Sequence, residues 1–300
     1  MSFVVNDISI PSIGFGPGIC GYGRKLLNDK KWYLLSKIYN GIMINSIDRI
    51  KYVNSVSNAI NNGFKLIDYS ASYGSAKVIR NAIEKSDAKR EDLILTTRVS
   101  NQAQFQGNIE EEFFKQLKEF KTDYIDILMF HWPVTGKYVE TWKRMINLYN
   151  QGYVKILGVA NCNQHHMEEL YSETGVYPSI NQFERHPLFT QKKLVDYCKA
   201  KSIVVEAYTP IARFDDRLVN LPILKRIAEK YHKNFVQIIL RWHVQTGVVP
   251  IVRAMSSAHQ KQNLDIFDFS LTDEEIDVIS KVNINSRMRY DPDNCDFTIL

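Results

Sequence analysis

Short apolar runs recur along the chain, and amphipathic stretches separate them. Eight runs read as buried strands, over residues 12–15, 64–68, 93–97, 124–130, 154–158, 179–182, 203–207 and 248–251. The stretches between them repeat at three and four residues, the spacing of one helical face. Val53, Val56 and Ile60 do so before Gly63; Ile109, Phe113, Leu117 and Phe120 follow the same rule; and Trp142, Met145, Ile146 and Tyr149 run up to Gly152. A glycine just past the last apolar position stops a helix. Thr272 with Glu275 three residues on predicts a capping box for the helix that carries Ile276 and Ile279. Parallel strands joined by helices need both sheet faces covered, and eight such units in succession close most naturally on themselves. The expected fold is therefore α/β, a (β/α)8 TIM barrel. No composition break, linker or internal repeat divides residues 1–300, which predicts a single domain.

Composition narrows the function rather than the fold. At 300 residues with 45% apolar and 24% charged content the chain can bury a large core, which excludes disordered, collagen-like and disulfide-framework classes. Lys and Arg total 38 against 33 Asp and Glu, a balance of +5. That excess is too diffuse for a nucleic-acid partner and compatible with an anionic small molecule. Cys20, Cys162, Cys198 and Cys295 stand far apart with no Cys-x-x-Cys pair, which fits reduced thiols in a cytoplasmic protein. No apolar run approaches the roughly 20 residues of a membrane span, so no membrane role is expected.

In a barrel of this kind chemistry gathers where strands end and their following loops begin. Asp68 closes the second strand with Tyr73 five residues on, Arg98 closes the third and His131 the fourth. A carboxylate, a phenol, a cation and an imidazole at one mouth are what carbonyl reduction requires. The phenol protonates the carbonyl oxygen, the imidazole orients it, and the cation held by the carboxylate acidifies the phenol.

Several segments together carry a family resemblance. They are Gly63-Phe64-Lys65-Leu66-Ile67-Asp68-Tyr69-Ser70-Ala71-Ser72-Tyr73-Gly74, Asp123-Tyr124-Ile125-Asp126-Ile127-Leu128-Met129-Phe130-His131-Trp132-Pro133, Gly158-Val159-Ala160-Asn161, Asn181-Gln182-Phe183-Glu184-Arg185-His186-Pro187 and Gln237-Ile238-Ile239-Leu240-Arg241-Trp242-His243. In this order they resemble the aldo-keto reductases over most of residues 10–292. The resemblance implies a cofactor, NADPH or NADH, bound extended without a Rossmann fold. It implies Tyr73 as proton donor, His131 as the residue orienting substrate and Asp68 as the carboxylate partner. Asn161 and Gln182 would bind the nicotinamide carboxamide, Tyr208 would stack beneath its ring, and Trp132 would line the substrate pocket. Ala160 stands where the family usually has serine. At the adenosine end Arg253 and His259 would stand for the two phosphate-binding cations, Ala254 for a serine and Asn263 for the adenine contact. Neutral histidine gives one hydrogen bond and little charge at pH 7, so a reduced preference for NADPH over NADH is expected.

The sharpest departure is Arg98, which stands where the family normally has lysine. A phenol of reference pKa about 10 needs a shift of roughly three units, or about 4 kcal/mol, to act freely near neutrality. One unit charge about 4 Å away supplies on the order of 4 kcal/mol at an effective dielectric of 20. Arginine is large enough to form a bidentate pair with Asp68 and cancel much of that field. Two readings follow: a reductase of small, anionic or neutral carbonyl compounds with a tuned tyrosine, or a catalytically altered or non-catalytic cofactor-binding barrel with a regulatory or different redox role. A monomer or weak homo-oligomer is expected.

A second departure is an insertion at about 20–48, where Arg24, Lys25, Lys30, Lys31 and Lys37 interleave with Trp32, Tyr33, Leu34, Leu35, Ile38 and Tyr39. A lid over the substrate and a helix on the barrel rim are its two main readings, and a basic amphipathic stretch on a membrane surface is a weaker third. Gly16-Pro17-Gly18-Ile19-Cys20-Gly21 spells a dinucleotide fingerprint, but the internal proline and the missing acidic residue downstream make it a glycine-rich turn. His165, His166 and His232 lack partners at metal-ligand spacing, and no metal is expected.

Overall fold

The structure, a computed structural model, describes residues 3–18 and 47–299. The insertion at about 20–48 thus lies almost wholly outside the described residues, as does part of the glycine-rich turn. A hairpin of β1 (Phe3–Val5) and β2 (Ile8–Ile10) comes first, turning through Asn6 and Asp7, both at positive φ. These residue types tolerate the left-handed region that a two-residue hairpin needs. Eight strands follow: β3 (Gly14–Phe15), β4 (Leu66–Asp68), β5 (Ile94–Val99), β6 (Ile125–Phe130), β7 (Val154–Ala160), β8 (Ile180–Glu184), β9 (Val204–Tyr208) and β10 (Val249–Val252). They pair in parallel in chain order, and β10 closes on β3 to complete the barrel.

Side chains alternate across each strand, and the alternation divides the molecule into layers. Ile67, Leu95, Leu128, Phe130, Leu157, Val159, Phe183 and Val205 face outward and pack with the helices. Leu66, Ile127, Met129, Ile156, Ile180, Val204, Val249 and Ile251 face inward, and Val5 and Ile10 of the hairpin join them as a plug. Two residues beyond Leu66, Ile180 and Val204 stand Asp68, Gln182 and Glu206, all buried. An apolar floor therefore lies under a polar layer on the inner face toward the strands' C-terminal ends.

The helices agree with the sequence pattern. Ile109–Phe120 buries Ile109, Phe113, Leu117 and Phe120, and Tyr138–Asn150 buries Trp142 and Met145. Tyr149, expected on that buried face, is exposed at the last turn. The capping box closes as expected: the Thr272 amide donates to Glu275 Oε2 at 2.9 Å and the Glu275 amide to Thr272 Oγ1 at 3.3 Å. The hairpin is the element the strand reading missed, since three residues are too few to show an alternation.

After the helix Asp273–Lys281 the chain returns to the mouth. The amides of Met288 and Arg289 donate to the Glu184 carboxylate at 2.6 and 2.8 Å, and Phe297 packs on Trp132 with centroids 6.5 Å apart. Trp142 anchors the opposite layer: it is fully buried, sits edge-on to Phe130 and donates from Nε1 to the Val176 carbonyl at 3.2 Å. Trp142→Ala is expected to lower unfolding free energy by about 3–5 kcal/mol in urea titration, the range for truncating a buried indole. A loss below about 1 kcal/mol would mean that the helix is not held through this contact.

Candidate active site

The ends of six successive strands, β4 to β9, supply the chemistry. Arg98 lies one residue inside the end of β5, within hydrogen-bond reach of both neighbouring layers. Its Nη1 donates to the Tyr69 carbonyl at 2.8 Å, and Nη2 donates to Asp68 Oδ1 at 2.6 Å and to Gln182 Oε1 at 2.7 Å. The bidentate pair with Asp68 does not form, because the Tyr69 carbonyl takes the second nitrogen. Burial works against the Arg98 charge, but Asp68 first, then Tyr73 and Glu206, outweigh it and hold the guanidinium firmly protonated. Tyr73 is thus close enough for its ionisation and the Arg98 charge to be felt by one another.

Gln182 joins this layer to a second carboxylate. Its Nε2 donates to Asp68 Oδ1 at 3.1 Å and to Glu206 Oε2 at 2.7 Å. Both ends of the amide are therefore engaged inside the barrel, where the resemblance had assigned it to the nicotinamide. Glu206 is the residue that the strand-end search missed. Its signal was an acid inside the otherwise apolar run Val204-Val205-Glu206-Ala207, on the same face as Tyr208 two residues later. The Glu206 side chain is fully buried and Oε1 has no hydrogen-bond partner. Burial, then the nearby Asp68 charge, push its carboxyl up to about 7.

At the rim, Tyr73 ends the short turn Ala71–Tyr73, which Ser70 caps by accepting the Ser72 amide at 3.3 Å. The Tyr73 ring meets the His131 ring edge-on, centroids 6.0 Å apart. His131 follows β6, with Nδ1 3.4 Å from Ser72 Oγ. Part of its surface stays open to the mouth, yet burial, followed by the charges of Arg98 and Arg289, lowers its pKa to about 3. The imidazole is neutral at every pH near neutrality, so it can donate a hydrogen bond but holds no extra proton to give away. Asn161 follows β7 in the left-handed region, φ 62°, which asparagine accepts more readily than most residues. That turn directs Nδ2 to the His131 carbonyl at 2.9 Å and lets Oδ1 accept the Tyr208 hydroxyl at 2.6 Å. Tyr73, His131, Asn161 and Tyr208 thus come together as one rim. Trp132 does not join it: its ring is buried under Phe297.

Arg253 follows β10 beside Gly18, whose positive φ of 68° carries the chain past the guanidinium. Arg253 and His259 are exposed, with no carboxylate in ion-pair contact among the described residues, while Asn263 is buried. The helix Ser257–Leu264 opens between them, capped by Ser256. Unpaired basic groups beside a helix start fit a dinucleotide phosphate. His165, His166 and Asp293 form the one cluster of metal-ligating types among the described residues. The Asn163 amide donates to His166 Nδ1 at 3.1 Å, which leaves the neutral ring's proton on Nε2, 3.5 Å from Asp293. With Asn163 Nδ2 donating to Asp293 Oδ2 at 2.7 Å, the group ties down the C-terminal segment.

A parallel barrel with this rim defines the class as a barrel oxidoreductase, and comparison with known proteins makes it specific. The family described as Aldo/keto reductase matches residues 37–284, and the chain belongs to it, an NAD(P)H-dependent oxidoreductase family. It is similar to an uncharacterized oxidoreductase, YtbE, of Bacillus subtilis, 39% identical over 249 residues, covering 82% of this chain and 88% of that one. A glyoxal reductase of the same organism is 38% identical over 243 residues, covering 81% and 87%. Among solved structures, a Bombyx mori aldo-keto reductase in complex with NADP superposes with a TM-score of 0.82 at 28% identity, covering 98% and 96%.

Glu206 gives the first test of this site. Its carboxyl is raised in the fold above the ordinary 4.5, so between about pH 4.5 and 7 the folded state binds more protons than the unfolded chain and stability falls as pH rises. Glu206→Gln carries no such charge and keeps an acceptor for Gln182. The variant's stability advantage over the parent, measured in urea, should be larger at pH 8 than at pH 5; an advantage that does not grow with pH would show that Glu206 is ionised throughout.

Proposed function

We propose that this protein reduces a small aldehyde or ketone to its alcohol with NADPH, using Tyr73 as the proton donor and Arg98 as the cation that tunes it. The observation that carries this reading is the buried Arg98, bonded to Asp68 and to the Tyr69 carbonyl just before the turn that ends in Tyr73, with the neutral His131 edge-on to the phenol. The cofactor, when bound, supplies the hydride. His131 presents a neutral N–H to the carbonyl oxygen and orients it. With the imidazole unable to act as acid, the proton comes from the Tyr73 hydroxyl, and Arg98 stabilises the phenolate left behind. Asp68 holds Arg98 in place, and Asn161 locks the Tyr208 ring at the rim where a nicotinamide would stack. The similarity to a glyoxal reductase supports small, strongly electrophilic carbonyls as substrates.

A second reading, a cofactor-binding barrel that has lost ordinary reduction, draws on the two carboxylates that share the Arg98 charge. Steady-state NADPH oxidation with glyoxal separates the two, since the second reading predicts no turnover. Under the first, Tyr73→Phe should lower kcat by roughly a hundredfold or more, the usual contribution of a positioned general acid. A loss below about tenfold would assign the proton to another group. Arg98→Lys should retain turnover, whereas Arg98→Met should abolish it and remove about 3–5 kcal/mol of stability by leaving buried carboxylates without a cation.

The adenosine end has its own test. His259→Arg should tighten NADPH binding relative to NADH in fluorescence titration, because a permanent bidentate cation replaces a neutral ring. An unchanged ratio would remove His259 from the phosphate site.

A further inference from the structure

Arg289 is a cation that the reaction scheme does not use, and its placement is fixed. The buried Glu184 at the end of β8 accepts the Met288 amide at 2.6 Å, the Arg289 amide at 2.8 Å and His186 Nε2 at 3.0 Å. Burial pushes that carboxyl up, but the hydrogen bonds from His186 and the two amides outweigh it and keep Glu184 ionised below its ordinary range. Glu184 in turn pairs in register with Tyr208 on β9. Tyr208 bonds Asn161, which bonds the His131 carbonyl. Three residues therefore link the anchored Arg289 amide to the imidazole at the reaction centre.

The guanidinium itself is half-buried. Its recorded contact is the face of Tyr290, 5.5 Å from the ring centroid, and among the described residues no carboxylate lies within ion-pair distance. Arg287, two residues earlier, differs: it lies over Phe189 and reaches Asp291 at 3.9 Å. The Arg289 charge is felt at both sides of the rim, where it contributes to lowering His131 and opposes the effect of burial on Tyr208. A partly desolvated cation without an acid is a poor structural element and a good anion receptor.

We propose that Arg289 is an anion subsite, so that the favoured substrates are carbonyl acids, small molecules with a carboxylate at the end remote from the reacting carbonyl. The assignment rests on the reductase reading above and adds the substrate class to it. The carbonyl oxygen goes to Tyr73 and His131, and the carboxylate is gripped by the guanidinium that the C-terminal segment carries to the same mouth. Glu184 is the positioning residue, because it fixes the backbone from which Arg289 projects.

The test compares 4-oxobutanoate and 5-oxopentanoate, each with its methyl ester, in the parent protein, Arg289→Gln and Arg289→Lys. The parent should favour each acid over its neutral counterpart in kcat/KM by roughly tenfold or more, the scale of a charge-assisted bidentate contact. Arg289→Gln should bring the ratio near unity, and Arg289→Lys should keep part of it. Calorimetric titration of the NADP-loaded protein with succinate, which cannot react, should give binding that Arg289→Gln abolishes. An acid-to-ester ratio that Arg289→Gln leaves intact overturns the subsite, as does a variant that weakens NADPH binding instead, since the anion would then belong to the cofactor. Absence of turnover with every carbonyl would defeat the reductase reading alone, and the succinate titration would still decide the subsite.

Discussion

One enclosed guanidinium serves two enclosed carboxylates, and the arrangement of the mouth follows from that imbalance. Arg98 offers a single positive charge to Asp68, which it touches directly, and to Glu206, which it reaches through Gln182. Burying an uncompensated charge costs several kcal/mol, so the ion pair forms with Asp68 and the Glu206 carboxyl is pushed up to about 7. Tyr73 then faces the dipole of an ion pair instead of a bare cation. The field available to acidify the phenol is smaller than the on-the-order-of 4 kcal/mol that a lone charge about 4 Å away would supply. Ionising Glu206 would reduce it further.

The barrel makes such a layer almost unavoidable once the strands are written with period two. Leu66, Ile180 and Val204 build the floor, and the next inward positions are Asp68, Gln182 and Glu206. The hairpin plug covers the far end with Val5 and Ile10. Polar groups held between an apolar floor and a narrow rim must satisfy one another. Gln182 does this by donating to both acids and accepting from Arg98.

Most of this architecture could be read in the chain because it rests on repetition. Eight apolar runs, the helical spacing of Ile109 to Phe120 and the Thr272 cap each carry a local signal, and the structure reproduces them within a few residues at the ends. Of the rim residues, Tyr73 and His131 were legible as side chains of distinctive chemistry at strand ends, and Asn161 and Tyr208 only through the family resemblance. Glu206 was legible in principle, as an acid among valines, although strand ends alone do not point to it. The return of the C-terminal segment was not, because backbone amides at Met288 and Arg289 make the bonds to Glu184 and every non-proline residue has an amide. Nor could the engagement of Gln182 be foreseen, since strand register sets its neighbours and a one-residue slip would turn it to the outer face.

The replacement of lysine by arginine at position 98 is best understood as one part of a linked set. Tyr69, Asp68 and Gln182 present their acceptors to two different nitrogens of the guanidinium, 2.6 to 2.8 Å away. An ammonium has one nitrogen and cannot occupy both positions, so lysine there would leave at least one acceptor unserved. Asp68 and Gln182 share one of those nitrogens, so an ammonium placed there serves both and leaves the Tyr69 carbonyl. Residues coupled in this way respond to substitution non-additively. The identity of residue 98 is therefore coupled to the orientation of Gln182 and, through its Nε2, to Glu206.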